Sequence, residues 1–207
     1  MFAVGHLALG YLGGKATSKL LKEKLNLPLL FVASVLPDLD ILFPSLTHRG
    51  PSHSPLLLTF LFIPLLVAFG KKALPYYVAL LLHPFPADYL TGGTQLLWPV
   101  SQAFYGEEIL ITSLLGIALE WAVFLPSIAL MLKTKDTTTL LKPHPFNFAL
   151  MIPIMASLLP PFFRFPSPVP ALLFIPHLIY LGLFTLSILI DIKTLSGRSR
   201  GRQLLGL

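Results

Sequence analysis

A chain of 207 residues with 55% hydrophobic and 12% charged side chains, and a mean hydropathy of +0.78, carries more apolar surface than one soluble core can hide, which excludes an ordinary water-soluble domain. Its net charge of +6 does not mark a nucleic-acid partner, because the basic residues stand at the ends of apolar runs and not along one aromatic-interleaved face. The absence of cysteine excludes disulfides, thiolate metal sites and cysteine nucleophiles, so any metal must be held by His, Asp or Glu.

About seven apolar segments follow, and they predict an all-α, polytopic transmembrane helical bundle with about 5–7 membrane segments, some short, tilted or re-entrant. The first runs from Phe2 to about Leu21, carries His6 and ends in Lys15, Lys19, Lys22 and Lys24, spaced to snorkel towards headgroups. Lysines that follow the apolar run do not make a cleaved signal peptide, so the chain is read as mature from Met1. The second, from about Leu27 to Leu36, breaks at Pro37. Next comes PDLDILFPSLTHRGPSHS, Pro37 to Ser54, which sets Asp38, Asp40, His48, Arg49 and His53 side by side in an otherwise apolar chain. Such groups persist near hydrocarbon mainly when they pair, bind an ion or line a wet cavity.

The third segment, Pro55 to Phe69, stops at Gly70-Lys71-Lys72, and the fourth, Ala73 to about Leu82, runs into His83-Pro84-Phe85-Pro86. A loop from Asp88 to Tyr105 follows, with Gly92-Gly93 as a turn and Trp98 as an interface anchor. Glu107 and Glu108 are set to favour the positive end of the next helix. The fifth segment, Ile109 to Leu132, holds Glu120 near its middle, where an ionisable residue is a functional candidate or pairs with a polar neighbour. A linker of lysines and threonines, a sixth segment from about Phe146 to Phe163, the turn RFPSPVP and a seventh from about Val169 to Ile190 complete the membrane part. No repeat or second domain is visible. The chain reads as one integral membrane domain, with a metal-site half over 1–105, supporting helices over 106–193 and a basic cytoplasmic tail over 194–207 that includes Arg198, Arg200 and Arg202.

Alternating these segments across a bilayer leaves thirteen of the fifteen basic residues on one side, with Arg49 and Arg164 on the other. Lys and Arg are retained in the cytoplasm, so the amino terminus is expected outside and the carboxyl terminus inside. The same alternation brings His6, Asp38, Asp40, His48, His53, His83 and Asp88 to the outer face, although the charge count does not require it. His and Asp without Cys suit a borderline or hard divalent cation, Zn favoured with Mn or Fe as alternatives, and six ligands (His6, Asp38, Asp40, His53, His83, Asp88) are enough for one or two ions. Two such ions can activate water and stabilise both oxygens of a phosphoryl displacement. Arg49 would match phosphate oxygens with its planar guanidinium, Asp40 and His48 join it as the catalytic candidates, and Ser52 and Ser54 would orient histidines. His144, between prolines on the cytoplasmic side, is read as inert loop, and His177 as a packing residue beside Pro176.

His6, then PDLD at 37–40, THRGPSHS at 47–54, His83 and DYLTGG..LLWP from Asp88 to Pro99 together resemble the YdjM-like family of membrane-bound metal-dependent hydrolases, over about the first hundred residues. The resemblance implies a hydrolase, and similarity in ligand pattern to zinc-dependent phospholipase C and related nucleases implies phosphoester substrates. The chain departs from the family twice. Ile41 follows PDLD where a histidine is common, and His83 and Asp88 are five apart where H-x-x-x-D is usual, a spacing that a regular helix would splay. The expected function is a metal-dependent phosphoesterase acting on a lipid or lipid-linked phosphate at the outer face. The alternatives are a metal-independent lipid phosphatase with a histidine nucleophile, whose usual paired basic motifs are missing, and a metal-binding or transport protein without hydrolase activity. The oligomeric state is not legible.

Overall fold

The computed structural model describes residues 1–43, 45–164 and 166–204, with side chains through residue 194. Among these the chain is helical and forms no strand, only two isolated bridges, Thr91 with Glu108 and Thr94 with Tyr105. The side chains of Arg198, Arg200 and Arg202 lie outside the described residues.

Helix α1 (Ala3–Leu21) lies at the centre of the packing, touching α2 (Leu27–Val35), α4 (Leu74–Leu81) and α5 (Leu114–Lys133) along its length. Small residues allow this. A Cβ on Gly10 would sit 2.2 Å from the Cβ of Ser34 on α2, so only glycine lets the two backbones come this close. The core beside it is aromatic: Tyr11, Phe31, Phe124, Tyr180 and Phe184 are buried together, and Ser127 and Tyr180 hydrogen-bond at 2.8 Å. Starts of helices follow local rules. Asn26 accepts from the Leu29 N–H ahead of α2, Ser54 from Leu57 ahead of α3 (Pro55–Phe69), and Ser113 from Gly116 ahead of α5.

Helix α5 begins at Leu114, not at Ile109, because Ser113 caps it there and residues 109–113 stay in the loop. Glu107 and Glu108 therefore sit clear of its first turn, and Glu108 pairs with Thr91 instead. A short helix, α6 (Asp136–Leu140), occupies the polar linker, where Asp136 accepts from Tyr11 at 2.7 Å and Lys15 at 2.5 Å. The sixth segment is one helical stretch, Asn147–Phe163, whose pitch varies: a 3-10 turn (Asn147–Leu150), one turn of α7 (Met151–Pro153), a wide turn (Ile154–Leu158) and a second 3-10 turn (Pro160–Phe163). Helix α8 (Phe174–Leu204) returns. Among the described residues three stretches, Pro55–Lys72, Leu114–Lys133 and Ala171–Thr194, are long and apolar enough to cross a membrane.

The bundle has two chemically different ends. Lys15 meets Asp136 and Lys71 meets Glu23 at one, while Met1, His6, Asp38, His53, His83 and Asp88 meet at the other.

Candidate metal centre

Pro37 ends α2 and turns the chain into a 3-10 stretch, Leu36–Leu42, whose Asp38 and Asp40 point inward and are buried. The turn Pro51–His53, just before α3, delivers His53 with no exposed surface. From α4 the chain enters His83–Asp88, where Phe85 leaves helical geometry (φ −140°, ψ 116°). That break undoes the splay expected of a five-residue spacing: His83 Nε2 lies 3.3 Å from Asp88 Oδ2.

The donor atoms converge closely. His53 Nε2 is 3.2 Å from His83 Nε2, 3.5 Å from Asp38 Oδ1 and 3.4 Å from Asp88 Oδ2. His83 Nε2 is 3.2 Å from Asp38 Oδ1. These form two triangles that share the His53–His83 edge. Around an ion bound at about 2.0 to 2.1 Å, neighbouring ligand atoms are roughly 3.3 Å apart in a tetrahedral arrangement. His6 stacks on His83 with ring centroids 3.7 Å apart, and His6, Asp38 and His83 offer ligand atoms within 4.8 Å of one another.

Hydrogen bonds set the protons. His83 Nδ1 lies 2.8 Å from the Ser34 carbonyl, which can only accept, so Nδ1 carries the proton. His53 Nδ1 lies 3.2 Å from the Asp40 carboxylate, with Ser52 Oγ at 3.0 Å. In the neutral rings both Nε2 atoms then present lone pairs to each other and to two carboxylate oxygens. Four lone pairs cannot face one another without a cation or extra protons between them. Asp88 Oδ2 and His6 Nδ1 are moreover buried without hydrogen-bond partners. The donor set thus fits a divalent metal ion. Without one the site draws protons: burial opposes charge on His53, but Asp38 and Asp40 outweigh it and raise the imidazole above its ordinary value. Burial would likewise raise Asp38 and Asp40, yet His83 and His53 hold the first, and His48 and His53 the second, below the usual carboxylate range.

Asp40, expected as a ligand, borders this group, and its carboxylate also lies with ligand atoms of Asp38, His48 and His53 in a set within 4.8 Å of one another. Its Oδ2 accepts from Ser52 Oγ at 2.8 Å and the Arg49 N–H at 3.3 Å, and its Oδ1 lies 3.0 Å from His48 Nδ1. Arg49, with a left-handed φ of 62°, reaches Asp88 Oδ1 at 3.1 Å and donates to the Thr91 carbonyl at 2.5 Å. Gly92 leaves the room, since at its φ of 115° a Cβ would lie 2.8 Å from that guanidinium. Asp38, Ile41, His48 and Arg49 face a cavity of about 690 Å³ whose other walls include Glu108, Ile109 to Ile111, Pro161 and Ser167. Ile41, directly after Asp40, is part of that wall.

The profile of the YdjM inner membrane protein family matches residues 1–160. The chain belongs to this family. No curated protein and no solved structure matches it. The YdjM match runs well past the first hundred residues, and the structure shows a contribution from the later part: Ser157 Oγ donates to Asp38 Oδ2 at 2.9 Å. Sequence reasoning passed over Ser157. Its one signal was a lone hydroxyl in an apolar run. Among the described residues the Ser54 hydroxyl bonds no imidazole and instead donates to the carbonyls of Leu96 and Trp98. Glu120 accepts from the Phe2 N–H at 2.7 Å at the start of α1. His177 bonds the Leu173 carbonyl between Phe2 and Phe162, and His144 lies at the lysine end, its N–H on Asp191.

Proposed function

We propose that this membrane protein is a metal-dependent hydrolase of phosphoesters, with a lipid or lipid-linked phosphate as substrate. The single observation that carries the reading is the convergence of two imidazole and two carboxylate lone pairs at 3.2–3.5 Å beneath a cavity. Asp38, His53, His83 and Asp88 would hold the ion, Zn favoured, and His6 is the further ligand a second ion would recruit. A divalent ion there supplies Lewis acidity, which makes water nucleophilic at neutral pH and polarises a phosphoryl oxygen.

The chain's own groups do the rest. Asp40 holds the protonated Nδ1 of His53 and of His48, so that the first presents a lone pair inward and the second presents Nε2 to the cavity for proton transfer. Arg49, pinned by Asp88 and Thr91, offers its remaining N–H donors to phosphate oxygens. Apolar walls from Phe2, Ile41 and Ile109 to Ile111 suit the glycerol and upper acyl part of a lipid. The lysine end faces the cytoplasm and the site faces outward.

Elemental analysis of the purified full-length protein tests this. The expected result is about one Zn, Mn or Fe per chain, lost in Asp38→Ala and His53→Ala, with chelation abolishing phosphate release from phospholipid. Unchanged metal in both variants overturns the reading. Metal that depends on these residues, with no hydrolysis of any phosphoester, leaves a metal-binding protein and removes the enzyme.

A further inference from the structure

A second cavity, of about 730 Å³, lies at the opposite end of the bundle between α2, α3 and α4. It exists because α2 and α3 each pack on α4 and barely touch one another. Its walls are Leu29, Val32, Ala33, Phe62, Leu65 and Phe69. At its mouth stand Lys22, Lys24, Glu23 and Lys72. Glu23 is already paired with Lys71 at 3.2 Å. Among the described residues Lys22, Lys24 and Lys72 have no carboxylate partner, so three positive charges ring one end of an apolar slot. The slot opens beside the outer face of α3, where Phe60, Leu61 and Val67 are 60–81% exposed on a helix apolar enough to cross a membrane.

We propose that this groove is a binding site for an anionic phospholipid, with its phosphate among the three lysines and one acyl chain along α2 and α3. Ammonium groups near the membrane surface attract anionic lipid and have no such preference for a zwitterionic headgroup. Ala33 keeps the slot open. The groove shares no residue with the metal centre, so this reading and the hydrolase reading fail separately.

The test is native mass spectrometry of the delipidated full-length protein. It is titrated with phosphatidylglycerol, with phosphatidylcholine of the same acyl chains, and with glycerol phosphate as the headgroup alone. Phosphatidylglycerol should be retained on the order of tenfold better than phosphatidylcholine, with no adduct of glycerol phosphate. Replacing Lys22, Lys24 and Lys72 together by Gln should bring phosphatidylglycerol down to the phosphatidylcholine level, and Ala33→Phe should reduce both lipids. Lys72→Gln alone, on an exposed side chain that leaves the packing intact, should show part of the loss. Equal retention of the two lipids, wild-type retention in the lysine variants or in Ala33→Phe, or equally good binding of glycerol phosphate overturns the proposal.

Discussion

Asp40 is in contact with Ser52, His48, His53 and the Arg49 N–H, which makes it the residue that orients both histidines without facing the open cavity. Asp40→Asn should therefore leave the fold intact and lower metal affinity by about 10–100-fold, measured by competition with a chromogenic chelator. His48 separates metal binding from chemistry. Its side chain is 31% exposed, so His48→Ala should keep the metal and lose roughly a hundredfold or more in turnover. If metal and turnover fall together, His48 is a ligand and not a proton carrier. The site also predicts a pH dependence. His53 in the metal-free protein is raised above its ordinary value, so its protonation stabilises the metal-free fold fully below about pH 6.5 and that contribution fades as pH rises through the raised value. Metal must displace this proton, and its affinity should rise with pH over the same interval, with proton release visible by calorimetry in buffers of different ionisation heat.

At the level of elements, the closeness of α1 and α2 sets the height of Ser34, whose carbonyl holds His83. Gly10→Val would push on Ser34 directly, because the added carbon starts 2.2 Å from its Cβ. The expected outcome is a loss of about 1–3 kcal/mol in stability together with weaker metal binding, read by thermal unfolding with and without metal. A variant that melts normally and binds metal normally would remove the link between this packing and the site. The break at Phe85 shows why helical spacing was a poor guide here. The positions His83 and Asp88 do not share a helical face, and Pro84 and Pro86 strip the backbone donors that would keep the turn regular. The sixth segment is helical from Asn147 to Phe163, as the apolar run suggested, but its pitch changes along the way, and its wide turn aims Ser157 at Asp38.

Over the whole molecule, α3 measures the depth of the site. His53 lies two residues before Pro55, and the 15 residues to Phe69 rise about 22 Å, less than the roughly 30 Å of hydrocarbon. A centre at that height meets the phosphate layer or the acyl chains just beneath it, in keeping with an amphiphilic substrate. The proposed orientation can be checked on a chain that has no native cysteine. Val100, 83% exposed in the loop over the site, and Lys72 at the other end are replaced singly by cysteine. An impermeant maleimide added to intact cells should label Val100→Cys and spare Lys72→Cys. The reverse pattern would turn the protein over in the membrane and put the candidate metal centre inside.

Composition and local order alone determined that the chain is a helical membrane protein with most of its lysines at one end and His6, Asp38, Asp40, His48, His53, His83 and Asp88 at the other. Those properties follow from hydropathy, proline breaks and alternation, which are readable over a few residues at a time. Sequence order could nominate His6, Asp38, Asp40, His53, His83 and Asp88 as neighbours, but not rank them. Only the folded chain decided that Asp40 stands behind His53, that Asp88 comes back to within 3.3 Å of His83, and that a serine 119 positions away bonds Asp38. Distances between side chains on separate helices depend on how closely backbones pack and on the direction the chain takes after each break, and no local pattern encodes either.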